Sequence, residues 1–219
     1  MRDRPLLALL LLASLSLACR DAGDRRAPAA AFRPSAPAPA APATRQAPAL
    51  KRTGLTRADR EAWRQALGWP ADCEESFTAS AVPEAAGIEV HSLSPGRSLV
   101  EVRCAWGAYQ GSQIYYLYDE SRQPARGEPL AFEVRESPDE KSLVANETPE
   151  VWGLPSFDSR TGQLEVLNKF RGPGDCGTLA TYRFVDGRPR LARLRAKVAC
   201  DGKGAEEPER WPEVPLGGD

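Results

Sequence analysis

The chain has 219 residues, of which 42% are hydrophobic and 27% charged, and its formal net charge is −1. This composition is typical of a globular protein with one substantial folded domain, and the balanced charge gives no general attraction to nucleic acid. A single histidine and a single methionine exclude most histidine-based catalysis, haem ligation and histidine-rich metal sites. The sequence therefore predicts neither a metal centre nor a cofactor.

The N-terminal residues have the pattern of an export signal. Arg2 and Arg4 precede an apolar run, residues 6–17, which is too short to span a bilayer comfortably. Residues 15–19, which read LSLAC, resemble the lipobox of bacterial lipoproteins, in which the cysteine is lipidated and becomes the first residue. We expect residues 1–18 to be a lipoprotein signal peptide and Cys19 to carry the lipid; cleavage without lipidation is the alternative.

The number of cysteines supports lipidation. Four of the five cysteines can pair in an oxidising compartment, which leaves one over beside the cleavage site. Arg20 follows Cys19, at the position where an inner-membrane lipoprotein of a diderm bacterium commonly has aspartate. We therefore expect an outer-membrane lipoprotein of the bacterial cell envelope that faces the periplasm.

A linker follows the lipidation site. Residues 20–50 contain six prolines and twelve alanines, but only two large apolar side chains. Such a segment buries too little apolar surface to offset its ordering entropy, so we expect residues 19–54 to be the lipidated cysteine and a disordered tether. Residues 20–53 carry seven basic and two acidic side chains, which indicates either contact with anionic headgroups or a linker kept soluble by arginine.

Residues 55–219 are predicted to form one folded domain. Thr56 and Asp59 have capping-box spacing ahead of an apolar stripe that ends at Gly68, which predicts one short helix. From Cys73 onward the pattern changes to alternation, and Asp186 with Gly187 marks a hairpin. We predict a mainly β fold, an antiparallel sandwich or barrel of seven or eight strands, with residues 136–149 as a polar loop.

Several motifs that suggest catalysis fit structural roles better. Residues 172–177 have the spacing of a dinucleotide-binding loop, but strand-forming residues follow them where that site needs a helix. Cys176 lacks a downstream histidine to act as a base, so a disulfide is favoured over a nucleophile. Acidic pairs remain as an alternative glycosidase centre; they are Glu74 with Glu75, Asp119 with Glu120, and Asp139 with Glu140.

Two groups of side chains are candidate binding surfaces. Tyr109 and Tyr115 belong to a tyrosine-rich segment for which core packing is favoured, whereas any exposed subset of the rings would stack on sugars. Arg193, Arg195 and Lys197 share one face of a predicted strand and form a basic strip on an otherwise acidic domain. A solvated outer face is nevertheless the favoured interpretation of this strip.

Three sequence blocks together resemble a known family: residues 102–109, residues 169–177, and residues 199–202 followed by Trp211 and Pro212. This is the bacterial exported family called "domain of unknown function 1176", and the resemblance runs from about Trp69 to Pro212. Many members carry a further N-terminal block with cysteines, which the tether replaces here, and Gln110 stands where asparagine is expected. The resemblance implies an exported, β-rich domain with paired cysteines, and implies no activity.

The cysteine pairing is predicted to be sequential. Four cysteines allow three pairings, and the blocks come in two halves, each with a glycine-rich turn and a strand. The hairpin at Asp186 and Gly187 returns the chain towards Cys176, and strand alternation directs Cys200 inward. We expect the bridges Cys73–Cys104 and Cys176–Cys200.

These patterns favour a non-enzymatic, lipid-anchored envelope module that binds a glycan or a protein partner and does not bind nucleic acid. An inhibitor of a cell-wall hydrolase is the first alternative, by analogy with other small exported β-domains. A carbohydrate-active enzyme that uses two carboxylates is the second.

Overall fold

The computed structural model describes residues 50–81, 85–139, 141–202 and 206–216, all within the unit Ala47–Asp219. Cys19, the predicted signal peptide and most of the predicted tether lie outside the described residues. The described elements are α1 Arg57–Leu67, α2 Ala71–Ser80, β1 Ile88–Ser94, β2 Arg97–Trp106, β3 Gly111–Asp119, β4 Arg126–Leu130, β5 Phe132–Glu136, β6 Val144–Thr148, β7 Glu150–Asp158, β8 Gln163–Lys169, β9 Gly177–Val185, β10 Arg188–Lys197 and the 3-10 turn Pro208–Arg210.

Helix α1 begins and ends as its sequence predicts. The Thr56 N–H donates to Asp59 Oδ2 (2.8 Å), and Thr56 Oγ1 accepts from the Asp59 N–H, which completes the capping box. Gly68 ends the helix with φ 67°, a left-handed conformation that only glycine adopts without a steric cost. Trp63 and Leu67 are buried on the inner face.

Helix α2 is a second helix, although the sequence predicted only one. It buries only Cys73 and Phe77, which are four residues apart, and its other positions are small or polar. Such a helix has no continuous apolar stripe, so its sequence pattern is weak. Neither α1 nor α2 has the length and apolar character that a membrane span requires.

The strands confirm the mainly β, antiparallel fold, with ten described strands where seven or eight were predicted. Eight of them form one sheet in the order β1-β2-β3-β7-β8-β9-β10, with β4 also paired to β3. The molecule is sandwich-like and not a closed barrel, because the end strands β1 and β10 do not pair with each other in the described structure.

The polar segment predicted as a loop contains β6, which pairs with β5 in a separate two-stranded sheet. Phe132 and Val134 of β5 pack into the core beneath this hairpin. Strand β6 exposes nearly all of its side chains, so nothing in its composition distinguishes it from a loop.

Strand β3 divides one edge between two partners. Residues 115–119 pair with β4, whereas residues 111–114 pair with β7. Strand β7 then pairs with β8 through residues 154–158, which carries the sheet over to its second half. The two halves enclose one core, and α1 and α2 cover a second core on the other face of β2 and β3.

The packed part of the domain begins before the predicted start at residue 55. Leu50 packs against the core under the helices, and the Trp63 indole N–H donates to the Lys51 carbonyl (2.8 Å). Arg52 donates to Ser98 Oγ (2.6 Å) and pairs with Glu120. These contacts place residues 50–54 on the domain surface.

Both predicted disulfides are present. Cys73–Cys104 joins α2 to β2, and Cys176–Cys200 joins the loop before β9 to the segment after β10. Each bridge closes a loop of 31 or 24 residues, so in the chain-entropy description each stabilises the fold by about 3–4 kcal/mol.

Arg60 is a buried cation that ties the helical layer to the sheet. Its guanidinium pairs with Glu74 (Nε–Oε2 2.8 Å) and donates to the carbonyls of Gly87 (3.0 Å) and Arg103 (3.1 Å). The Phe77 ring lies 3.7 Å from the guanidinium carbon. A charge this deeply buried is tolerated because its N–H groups have partners on α2, β2 and the segment leading into β1.

We predict that Arg60→Met lowers the free energy of unfolding by about 3 kcal/mol, because Glu74 loses its cation and three carbonyls, those of Ala86, Gly87 and Arg103, each lose a donor. Urea unfolding followed by circular dichroism measures this change. Arg64→Met is the matched control on the same helix, since Arg64 is partly exposed and 3.9 Å from Glu61. A loss below about 1 kcal/mol for Arg60→Met, typical of a surface pair, would contradict this role.

Candidate functional site

Tyr109 and Trp152 line an open groove of about 480 Å³. The two residues are 40% and 48% exposed, so both leave aromatic surface open to solvent. The remaining lining is largely polar, and it comes from the β2–β3 loop, the tip of the β5–β6 hairpin and the end of β8. It consists of Gln110, Glu136, Ser137, Pro138, Asn168, Lys169 and Phe170.

Gln110 fixes the two sides of the groove to each other. Its amide N–H donates to Asn168 Oδ1 (2.9 Å), and its amide oxygen accepts from the Lys169 N–H (2.9 Å). The Gly107 N–H donates to the Gln110 carbonyl (2.8 Å) and closes the turn that carries Tyr109. The β2–β3 loop is therefore held against the end of β8.

The glycine-rich loop, residues 171–177, supports Tyr109 from behind. A Cβ placed on Gly172 would lie 3.6 Å from Tyr109 Cδ1, so the ring and the loop backbone are in near contact. Asp175 is fully buried and accepts hydrogen bonds from Arg171 Nε (2.8 Å) and from the Gly202 N–H (2.8 Å). With the Cys176–Cys200 bridge, these bonds hold the loop to the segment after β10.

The hydrogen bonds from Arg171 hold the pKa of Asp175 well below its usual range, although desolvation opposes them. The Gly202 N–H lowers the pKa further. Asp175 is thus a fixed anion that closes the loop, and not a group that exchanges a proton near neutral pH.

A third exposed aromatic side chain lies at the same end of the sheet. Trp106 is paired with Gly111, which is in turn paired with Gly153, next to Trp152. Trp106 is 45% exposed, and the guanidinium carbon of Arg103 lies 4.0 Å from its ring centroid. This end of the sheet therefore presents three of the exposed aromatic rings of the described chain.

Of the two tyrosines proposed for a binding surface, only Tyr109 is exposed, and the prediction for Tyr115 is wrong. Tyr115 is 1% exposed and packs against Phe132, with ring centroids 4.9 Å apart. Alternating positions along a strand point to opposite faces of the sheet, and one set is exposed only if that face of the sheet meets solvent. Strand β3 lies between the two cores, so both of its faces are covered.

The predicted basic strip does not present free positive charge, which corrects its interpretation as an anion-binding surface. Arg193 lies 3.5 Å from Glu165, and Lys197 lies 3.4 Å from Asp201. Arg195 lies 3.4 Å from Glu213 and donates to the Trp211 carbonyl (2.9 Å). Each cation of the strip thus faces an acid, in part because the C-terminal segment runs along β10.

One acid of each pair considered for glycosidase chemistry holds local structure, and Glu140 lies outside the described residues. Glu74 is partly buried, but Arg60 lowers its pKa; the Ser121 side chain lowers the pKa of Asp119. Backbone N–H groups of Ser142 and Lys141 lower the pKa of Asp139. A general acid requires the opposite shift, a raised pKa.

Sequence reasoning missed Trp152, Asn168 and Lys169 as members of the groove. Trp152 follows a polar stretch that was interpreted as a loop, and Asn168 and Lys169 end a strand far from Tyr109 in the sequence. One feature of the sequence could have identified Trp152. Its side chain alternates with that of Val151, so a buried Val151 directs the tryptophan outward.

Comparison with known families identifies the family of the chain. The family described as "Protein of unknown function (DUF1176)" matches residues 16–215. The chain belongs to this family. Two of the three sequence blocks that carry the resemblance meet at the groove, since one contributes Tyr109 and the other contributes Lys169 and Phe170.

A curated relative extends the comparison. The DUF1176 chain is 28% identical over 127 residues to the uncharacterized protein YpfG of Escherichia coli (strain K12). The match covers 58% of this chain but 34% of YpfG, so it spans about a third of that relative's length. No solved structure matches the chain.

We predict that Asp175→Asn lowers the melting temperature at neutral pH and that the difference from wild type shrinks as the pH falls below about 4. The folded-state pKa is depressed, so the stabilisation is present above the unfolded-state pKa and is lost as the carboxylate becomes protonated. Thermal unfolding at several pH values measures this. Glu75→Gln, an exposed change on α2, is the control for general charge effects; an Asp175→Asn deficit that is constant with pH would refute the prediction.

Proposed function

We propose that this protein is a non-enzymatic binding module of the bacterial cell envelope, and that the groove between Tyr109 and Trp152 binds a glycan. The observation that carries the proposal is the pair of exposed aromatic residues, Tyr109 and Trp152, that line one polar, preformed groove. The apolar face of a sugar ring packs against an aromatic face, while its hydroxyl groups need hydrogen-bond partners in the same plane.

The polar lining suits neutral hydroxyl groups. Within the described residues, Asn168 uses its amide oxygen for Gln110, and its Nδ2 has no hydrogen-bond partner. Glu136 and Lys169 contribute one charge of each sign, so the groove does not select a strongly charged ligand.

The rigidity of the groove also supports binding. Gln110 joins the β2–β3 loop to β8, and the loop that supports Tyr109 is held by Asp175 and by a disulfide. A site that is already ordered loses little conformational entropy when it binds. The lowered pKa values of Asp119 and Asp139 favour binding without catalysis.

We predict that the exported full chain with Cys19→Ser co-sediments with purified peptidoglycan sacculi and binds soluble disaccharide fragments of them. Tyr109→Ala weakens the binding about tenfold, or about 1.4 kcal/mol, because one stacking surface is lost. Val185→Ala is the matched control, since Val185 is 55% exposed at the far end of β9. Calorimetric titration with the soluble fragments gives the affinities.

Equal binding by wild type and Tyr109→Ala, or no binding to either form of the glycan, would reject the glycan site. Stable complex formation with a lysozyme-type hydrolase in place of glycan would support the inhibitor alternative. Turnover of the fragments, lost on changing one Asp or Glu, would support the enzyme alternative.

We also propose that the domain is tethered to the periplasmic face of the outer membrane through a lipid on Cys19. The support is the lipobox-like sequence, the odd cysteine count and the pairing of the other four cysteines. Cys19 lies outside the described residues, so this proposal depends on the sequence.

We predict that the mature protein begins at an acylated Cys19. Intact mass and N-terminal peptide mass spectrometry of the membrane-extracted protein should show the added acyl chains, palmitate among them. Cys19→Ser should shift the protein from the membrane fraction to the soluble periplasmic fraction. An unmodified Cys19, or an N-terminus elsewhere, would indicate a freely secreted protein.

A further inference from the structure

A cleft lies where β4 and β7, which pair with adjacent parts of the same edge of β3, separate from each other. Ile114 is the last residue of β3 that pairs with β7, and Tyr115 is the first from this end that pairs with β4. The space between the two diverging strands is closed on one side by α2. Its volume is about 420 Å³, within the range of small-molecule binding sites.

The interior of this cleft is apolar. Its wall includes the Cys73–Cys104 bridge, Ile114, Leu130 and Trp152, with Pro129 and Pro149 beside them. Water is held poorly in a cavity with such a wall, because a bound water molecule needs several polar partners. It is suited to a hydrocarbon chain.

The cleft and the groove share one side chain. Trp152 lines both, and a Cβ on Gly107 of the loop that carries Tyr109 would lie 3.9 Å from its ring. We propose that the cleft receives the hydrocarbon chain of an uncharged amphiphile whose sugar headgroup lies in the groove. The position of the sugar headgroup rests on the glycan proposal, whereas the binding of the hydrocarbon chain in the cleft does not.

Charge selects against other amphiphiles. The exposed polar residues of the cleft wall include the acids Asp72 and Glu150, and none of the described residues that line the cleft is basic. The carboxylate of a fatty acid or the phosphate of an anionic lipid would meet like charge there. A sugar headgroup carries no such penalty and finds ring stacking and amide groups in the groove.

The test is a calorimetric titration of the exported full chain with Cys19→Ser, with maltose and with octyl, nonyl and decyl maltoside below their micelle concentrations. The affinity should rise about fourfold with each added methylene group, because each one is buried from water. Decanoate should bind at least tenfold more weakly than decyl maltoside.

Two variants test whether the hydrocarbon chain of the ligand occupies the cleft. Ser76→Trp fills the cleft from an exposed position on α2 and should abolish the dependence of affinity on chain length. Thr78→Trp is the matched control on the opposite side of the same helix, away from the cleft lining. Glu150→Lys, at a second exposed lining position, should raise the affinity for decanoate at least fivefold, which keeps the test decisive even if Ser76→Trp does not fold.

The outcomes separate the two proposals. Chain-length-independent binding, or alkyl maltoside affinities that Ser76→Trp leaves unchanged, would overturn the cleft proposal while glycan binding to the groove stands. Decanoate that binds as tightly as decyl maltoside would overturn the selection for an uncharged head. Alkyl maltoside binding that is sensitive to Ser76→Trp but not to Tyr109→Ala would overturn the joint site. If glycan fragments also failed to bind, the glycan proposal would be overturned as well.

Discussion

A strand edge can pair with one neighbour at each position, and β3 divides one edge between β4 and β7. This division has three consequences for the molecule. It separates the sheet into two halves that enclose a core, it leaves the cleft between the diverging strands, and it buries β3 on both faces. The position of the groove follows as well, because β7 carries Trp152 to the end of the sheet where the β2–β3 loop carries Tyr109.

Long-range order in this small domain depends on a few polar side chains that satisfy backbone groups. Arg60 binds carbonyls at the junction of the helices and the sheet, Gln110 joins two strand ends, and Asp175 binds a loop and a tail. Each replaces regular secondary structure at a place where the chain is irregular, so buried polar groups keep their hydrogen bonds. Two of these three residues belong to the wall of the groove or to its support, which makes the groove preformed.

Features that depend on neighbours in the sequence could be predicted, and those that depend on tertiary contacts could not. The cap of α1 and the hairpin at Asp186 follow from local spacing. The two disulfides are the exception among tertiary contacts, because each joins cysteines within one half of the sequence blocks. Helix α2 and strand β6 were missed because neither has an apolar periodicity of its own. The candidate binding roles of Tyr115 and the basic strip could not be decided from the sequence, because the second core and the acidic partners of the strip come from distant parts of the chain.

Gly153 shows how local backbone chemistry determines the site. Its φ is 149°, and a Cβ there would lie 2.7 Å from Val166 Cγ1 and 2.8 Å from the Leu167 carbonyl oxygen, so the position admits only glycine without rearrangement. Strand β7 passes from β3 to β8 at this residue, immediately after Trp152. The close approach of β8 that glycine allows brings Asn168 and Lys169 towards the same groove as Trp152. The feature that transfers the strand between the two halves of the sheet therefore also assembles the aromatic and polar sides of the groove.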